Sequence, residues 1–121
     1  LRTMSTASSA RSVAFSPVGT VLATGSIDGR VRFWLTEDGA LLKTLEAQPA
    51  QINSVVFSPN GALLASGAGD GVIRLWDVVG DRQVALLRVN AQPVIAVVFN
   101  PDGSLIASLS ADGVVRLWAT K

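Results

Sequence analysis

The sequence predicts an all-β chain of three repeats, each a small four-stranded antiparallel sheet, and three observations lead there. Phe15, Phe57 and Phe99 stand 42 residues apart, as do Pro17, Pro59 and Pro101, Asp28, Asp70 and Asp112, and Trp34, Trp76 and Trp118. Turn residues cut each unit into short apolar runs. No run of helical period competes with them. Laying residues 11–37 on 53–79 and 95–121 without a gap leaves nine of 27 columns identical, which is far beyond chance for one fixed offset.

The elements of the first repeat follow in order. Ser12-Val13-Ala14-Phe15 is an apolar strand stopped by Ser16-Pro17-Val18-Gly19; there Pro presets the backbone for a turn and Gly supplies a positive φ. Val21 to Gly25 is the second strand. Asp28-Gly29 is the strongest short hairpin signal, because a tight turn needs positive φ at its centre. Val31-Arg32-Phe33-Trp34 is the third strand, Glu37-Asp38-Gly39 the next turn and Leu41 to Leu45 the fourth strand. Leu1-Arg2-Thr3-Met4 is similar to Leu42-Lys43-Thr44-Leu45 and is expected to be a further outer strand, so about twelve strands are expected in all. Val31 and Phe33 point one way and Arg32 and Trp34 the other. Such strands are apolar on both faces, and both faces need cover. Neighbouring repeats provide it when the sheets stack radially.

Composition narrows the function. The chain has 121 residues, 49% hydrophobic and 16% charged, which suits one folded unit and not a disordered segment. Its longest apolar run, Val94 to Phe99, falls far short of the ~20 residues of a spanning helix. Net charge is +1 with no basic patch, against a nucleic-acid partner. There is no Cys, His or Tyr, which removes disulfides, Ser-His-Asp and Cys-His catalysis and His-ligated metal. No catalytic residue, metal site or cofactor is expected. No secretory signal is visible, so a cytoplasmic location is expected. The chain begins with Leu1 and not Met, as expected of a fragment or a processed product.

Residues 61–77, which run from Gly61 to Trp76-Asp77, resemble a blade of the WD40 β-propeller family, and the likeness spans the chain. The resemblance implies a single propeller segment of three blades, in repeats 1–35, 36–77 and 78–121, each running from an outer strand d into strands a, b and c. It departs from the family in places. Trp34 is followed by Leu35 and Trp118 by Ala119, and the family's Gly-His pair is missing. The His position falls near Thr6, Gln48 and Asn90. In the family that His links the turn Asp, a strand-b Ser or Thr and the Trp. Here Asp28, Asp70, Asp112, Thr24, Ser66 and Ser108 remain, so each blade is expected to lose part of the network, at about 1 kcal/mol per bond. Ala47-Gln48-Pro49 recurs as Ala91-Gln92-Pro93 at an offset of 44, which leaves the register of strand d open.

Each candidate site has a plain structural alternative. Ser26-Ile27-Asp28-Gly29 holds one acidic residue where a calcium loop needs several, so Asp28, Asp70 and Asp112 are read as turn caps. Arg32, Arg74 and Arg116 sit two residues from Trp34, Trp76 and Trp118, so stacking and blade-to-blade pairing is expected in place of a phosphate row. Gly67-Ala68-Gly69-Asp70-Gly71 lacks the Lys-Ser/Thr and helix of a phosphate cradle. The three Trp are expected to be structural and to lie between blades. Positions that differ between repeats mark what the fold does not dictate: Arg11, Asn53 and Ile95 at the start of strand a, and Ile27, Gly69 and Ala111 before the turn Asp. The resemblance puts both sets on the top rim, where family members dock partners.

The function expected is a non-catalytic interaction scaffold that binds protein or peptide partners on this rim and completes its ring by self-assembly. The alternative is a purely structural blade cassette, or part of a larger propeller protein that carries an enzyme elsewhere. Three blades cover too small an arc to close, since propellers use four to eight. Head-to-tail pairing of the Val114–Trp118 edge with Leu1–Met4 of another copy would give six blades in a dimer, which is favoured, or nine in a trimer.

Overall fold

The structure, a computed structural model, describes residues 3–5, 8–45, 48–89 and 92–120. These contain eleven strands and no helix. The first sheet holds β1 (Ala10–Phe15), β2 (Val21–Ser26), β3 (Val31–Leu35) and β4 (Leu41–Thr44). The second holds β5 (Ile52–Phe57), β6 (Leu63–Ala68), β7 (Val72–Asp77) and β8 (Arg82–Arg88). The third holds β9 (Val94–Phe99), β10 (Leu105–Ser110) and β11 (Val115–Ala119). All pairings are antiparallel and join strands consecutive in the chain, so each sheet is a meander of hairpins.

The turns form for the reasons the residues supply. Gly29, Gly71 and Gly113 take φ of 79°, 79° and 82° at the second hairpin of each sheet. The carboxylate of Asp28 accepts the backbone N–H of Arg30 and closes the loop. At the third hairpin Gly39 has φ 74° and its counterpart Asp81 has φ 58°.

Among the described residues the third sheet has no fourth strand, so β11 is an edge strand where β3 and β7 are not. Of the expected outer strand Leu1–Met4, Leu1 and Arg2 lie outside the described residues, and Thr3 and Met4 are not in a strand. The open register resolves. Trp34 faces Leu41 and Trp76 faces Gln83, while Phe33 faces Lys43 and Leu75 faces Ala85. These partners keep the 42-residue spacing, and so do the starts of β5 and β9, so the local offset of 44 is absorbed in the connections between sheets.

Packing is face to face. Between the first two sheets, Ala23, Val31 and Phe33 meet Ile52, Val55, Phe57, Leu64 and Trp76 in one buried cluster, with the Phe33 and Phe57 rings 6.0 Å apart. Between the second and third, Ala65, Ile73 and Leu75 meet Val94, Val97 and Ile106, with Phe99 and Trp118 packed alongside. Glycine sets the distance of approach: a Cβ on Gly25 would stand 2.4 Å from Ile52 Cγ2, and one on Gly67 2.5 Å from Val94 Cγ1. Two side-chain bonds cross the same interfaces. Val55 N–H donates to Ser12 Oγ (3.0 Å) and Val97 N–H to Ser54 Oγ (3.2 Å).

Candidate functional site

The two sets of variable positions come together at one end of the strands. In each sheet the residue before the turn Asp donates its backbone N–H to the carbonyl just ahead of the first strand: Ile27 to Ser9, Gly69 to Gln51 and Ala111 to Pro93, at 2.9–3.0 Å. That bond places Ile27 beside the start of β1, Gly69 beside β5 and Ala111 beside β9. Arg11, Ile27, Ile95 and Ala111 are exposed, and Gly69 is half-buried. Asn53 is already engaged. Its side-chain amide donates to the Val94 carbonyl (2.9 Å) and its carbonyl accepts from Gln51 (2.9 Å), so it also ties the second sheet to the third. The surface is thus a cationic and apolar rim held by a fixed backbone frame.

Below the rim, a polar network differs from the one expected. Trp34, Trp76 and Trp118 donate their indole N–H to Thr24, Ser66 and Ser108 at 3.1–3.2 Å. The turn Asp does not reach that network in the absence of the family's His. Arg32 takes it instead, at 2.7 Å from Asp28, and Arg74 takes Asp70 at 2.9 Å. Arg32 also donates to Ser26, and Arg116 to Ser110, which in turn donates to Asp112. The expected stacking and blade-to-blade pairing of these arginines is therefore corrected: each guanidinium serves a turn of its own sheet. The planar, five-donor group spans the hairpin and binds a carboxylate more firmly than a ring face would. Arg32 holds the Asp28 carboxyl below the usual carboxylate range, against the opposing effect of burial. No buried side-chain N or O among the described residues lacks a partner, so the missing His leaves no orphan there. Of its three positions, Thr6 and Asn90 lie outside the described residues, and Gln48 donates its backbone N–H to Gly29. The spacing Asp-Gly-x-x-Arg, present in all three repeats, was the signal for this pairing.

At the opposite end of the strands lies a groove of about 640 Å³ between the second and third sheets, lined by Ser58, Asn60, Leu63, Asp102, Ser104 and Thr120. Asp102 accepts from the Ser104 hydroxyl and backbone N–H, which lower its pKa. Among the described residues no three His, Cys, Asp or Glu side chains stand together as metal ligands would.

Among the described residues, two sheet faces expose apolar side chains. On the first sheet, Val13 and Phe15 are 64% and 66% exposed, while Val55 and Phe57, their counterparts inside the first interface, are 4% and 7% exposed. On the third sheet Val115 and Leu117 are 65% and 69% exposed, where Val31 and Phe33 are buried in the first sheet. The family model described as "WD domain, G-beta repeat" matches residues 1–34, 39–77 and 82–119. No curated protein matches the chain.

Proposed function

The chain belongs to the WD40 repeat family, whose members generally serve as protein-interaction scaffolds, and from that premise we propose that it is a non-catalytic scaffold binding a protein or peptide on the rim of Arg11, Ile27, Ile95 and Ala111. One observation supports this reading: an invariant frame of turns holds, side by side and exposed at one end of the strands, side chains that change from repeat to repeat. Invariant scaffold with variable tips is how rigid folds present binding loops. Asn53 and Gly69 complete the rim as positions that shape its middle. Self-assembly through the uncovered first and third faces is the second part of the proposal, with a six-bladed dimer favoured over a nine-bladed trimer.

A random peptide display library panned on the pure chain tests rim binding. Enriched peptides should lose binding to Arg11→Ala and Ile95→Asp and keep it with Asn60→Ala, in the opposite groove. Peptides indifferent to both rim changes would refute the rim, and a panning that enriches nothing would favour the structural cassette.

A further inference from the structure

The uncovered face of the third sheet is not a copy of the two covered ones. At the position where Gly25 and Gly67 admit the neighbouring sheet, the third sheet carries Leu109. The register is the same in all three: Gly25, Gly67 and Leu109 hold matching places in β2, β6 and β10. A sheet docking there with Ile or Val opposite, as Ile52 and Val94 stand opposite the two glycines, would collide with the leucine side chain.

The first sheet's uncovered face carries the matching change. Ala10 occupies the place of Ile52 and Val94, and pairs with Ser26 as Ile52 pairs with Ala68 and Val94 with Ser110. Large against small is thus inverted once: Gly25 meets Ile52, Gly67 meets Val94, and Leu109 is left to meet Ala10. The rest of the two faces needs no change. Leu117 would lie on Phe15 of the other copy as Leu75 lies near Phe99, in the same cluster, inside the chain. Val115 would stand where Val31 and Ile73 do. Volume-conserving exchanges are the ones packed interfaces accept, whereas an added branched side chain is not.

We infer that Leu109 and Ala10 of a second copy of this chain form a size-matched pair that specifies head-to-tail docking of the third sheet of one copy on the first sheet of the next. The inference rests on the self-assembly reading and adds to it the residues that choose the partner face. It also sets one direction of docking, so that the contact is heterologous and propagates until a ring closes.

The test measures association of the pure 121-residue chain by native mass spectrometry and light scattering. The chain should form a discrete ring of two or three copies. Ala10→Ile should weaken association about tenfold or more, the factor that corresponds to roughly 1.4 kcal/mol of overpacking. Leu109→Gly should also weaken it, by opening a cavity. The double variant, Ala10→Ile with Leu109→Gly, recreates the glycine–isoleucine arrangement of the inner interface and should recover association. Because the chain has no Cys, a second readout needs no background correction. An Ala10→Cys chain mixed with a Leu109→Cys chain should form a disulfide-linked hetero-pair under mild oxidation, since the inner counterparts stand at Cβ contact (3.0 Å from Ile52 Cβ to a Cβ built on Gly25). A monomeric or open-endedly aggregating wild-type chain overturns self-assembly and the pair together. A ring that tolerates Ala10→Ile, or cysteines that cross-link only with their own kind, overturns the pair and leaves self-assembly standing.

Discussion

At Asp28 the guanidinium of Arg32 and the backbone N–H of Arg30 both favour the charged carboxylate, and the folded pKa lies below its ordinary value. A depressed carboxyl pKa contributes stability that is complete above the unfolded pKa, near 3.9, and is lost as pH falls through the folded one. Thermal unfolding followed from about pH 6 down to about pH 2 should therefore show an acid limb, and Asp28→Asn should flatten it while lowering Tm at neutral pH. Trp76 is a different kind of residue: nearly all of it is buried between the first two sheets, and its N–H is held by Ser66. Trp76→Ala should cost about 3–5 kcal/mol in urea unfolding, as large buried aromatics do. Burial of Trp34 and Trp76 in the third strand was legible in the sequence, although Trp34 belongs to neither cluster between sheets. The partner of the arginines was not. Arg two residues from Trp on one strand face suggests stacking, which outweighed the Asp-Gly-x-x-Arg spacing; the hairpin brings Asp28 within 2.7 Å of Arg32.

Strand by strand, turn chemistry carried most of the information. Pro-x-Gly and Asp-Gly fix where a strand must stop, so the first three strands of each sheet stand close to where the residues put them. The fourth is less well specified: it follows a turn that uses Gly39 in one sheet and Asp81 in the next, and it leaves by connections of unequal sequence. How strands meet across sheets was invisible, since alignment of repeats shows that Gly25, Gly67 and Leu109 differ and does not show what stands opposite them. The crossing bonds at β1 and β5 make a test at this scale. Ser54→Ala removes the acceptor for Val97 N–H and should cost about 1–2 kcal/mol by leaving that donor unpaired in a buried interface. Gly67→Ala should cost about 1–3 kcal/mol, because the new methyl meets Val94 at 2.5 Å, and Val94→Ala in the same chain should return part of it. Equilibrium unfolding of the four chains gives the coupling directly.

For the molecule as a whole, apolar side chains stand exposed on the outward faces of the first and third sheets while two equivalent interfaces are closed. If copies cover one another, unfolding must depend on how many copies are present. The melting temperature of the wild-type chain should rise with protein concentration over the micromolar range, and that of Ala10→Ile should stay lower and nearly flat. The three-fold repeat was legible from the 42-residue period, and the WD40 resemblance from the turn chemistry and the Trp76-Asp77 signature beside it; completion of a ring is a property of surfaces, which a period does not describe. The meander has a separate consequence, for the order in which structure forms. Every ladder among the described residues joins neighbours in the chain, and the main contacts between sheets join sheets one period apart. Contact order is therefore low for an all-β chain, and no strand waits for a distant partner before it can pair. Folding can start in any hairpin and spread to its neighbours, with each interface adding its increment, as in a one-dimensional array. During synthesis the first sheet has everything it needs for its own pairing once Thr44 has emerged, and each later one closes against a surface already in place.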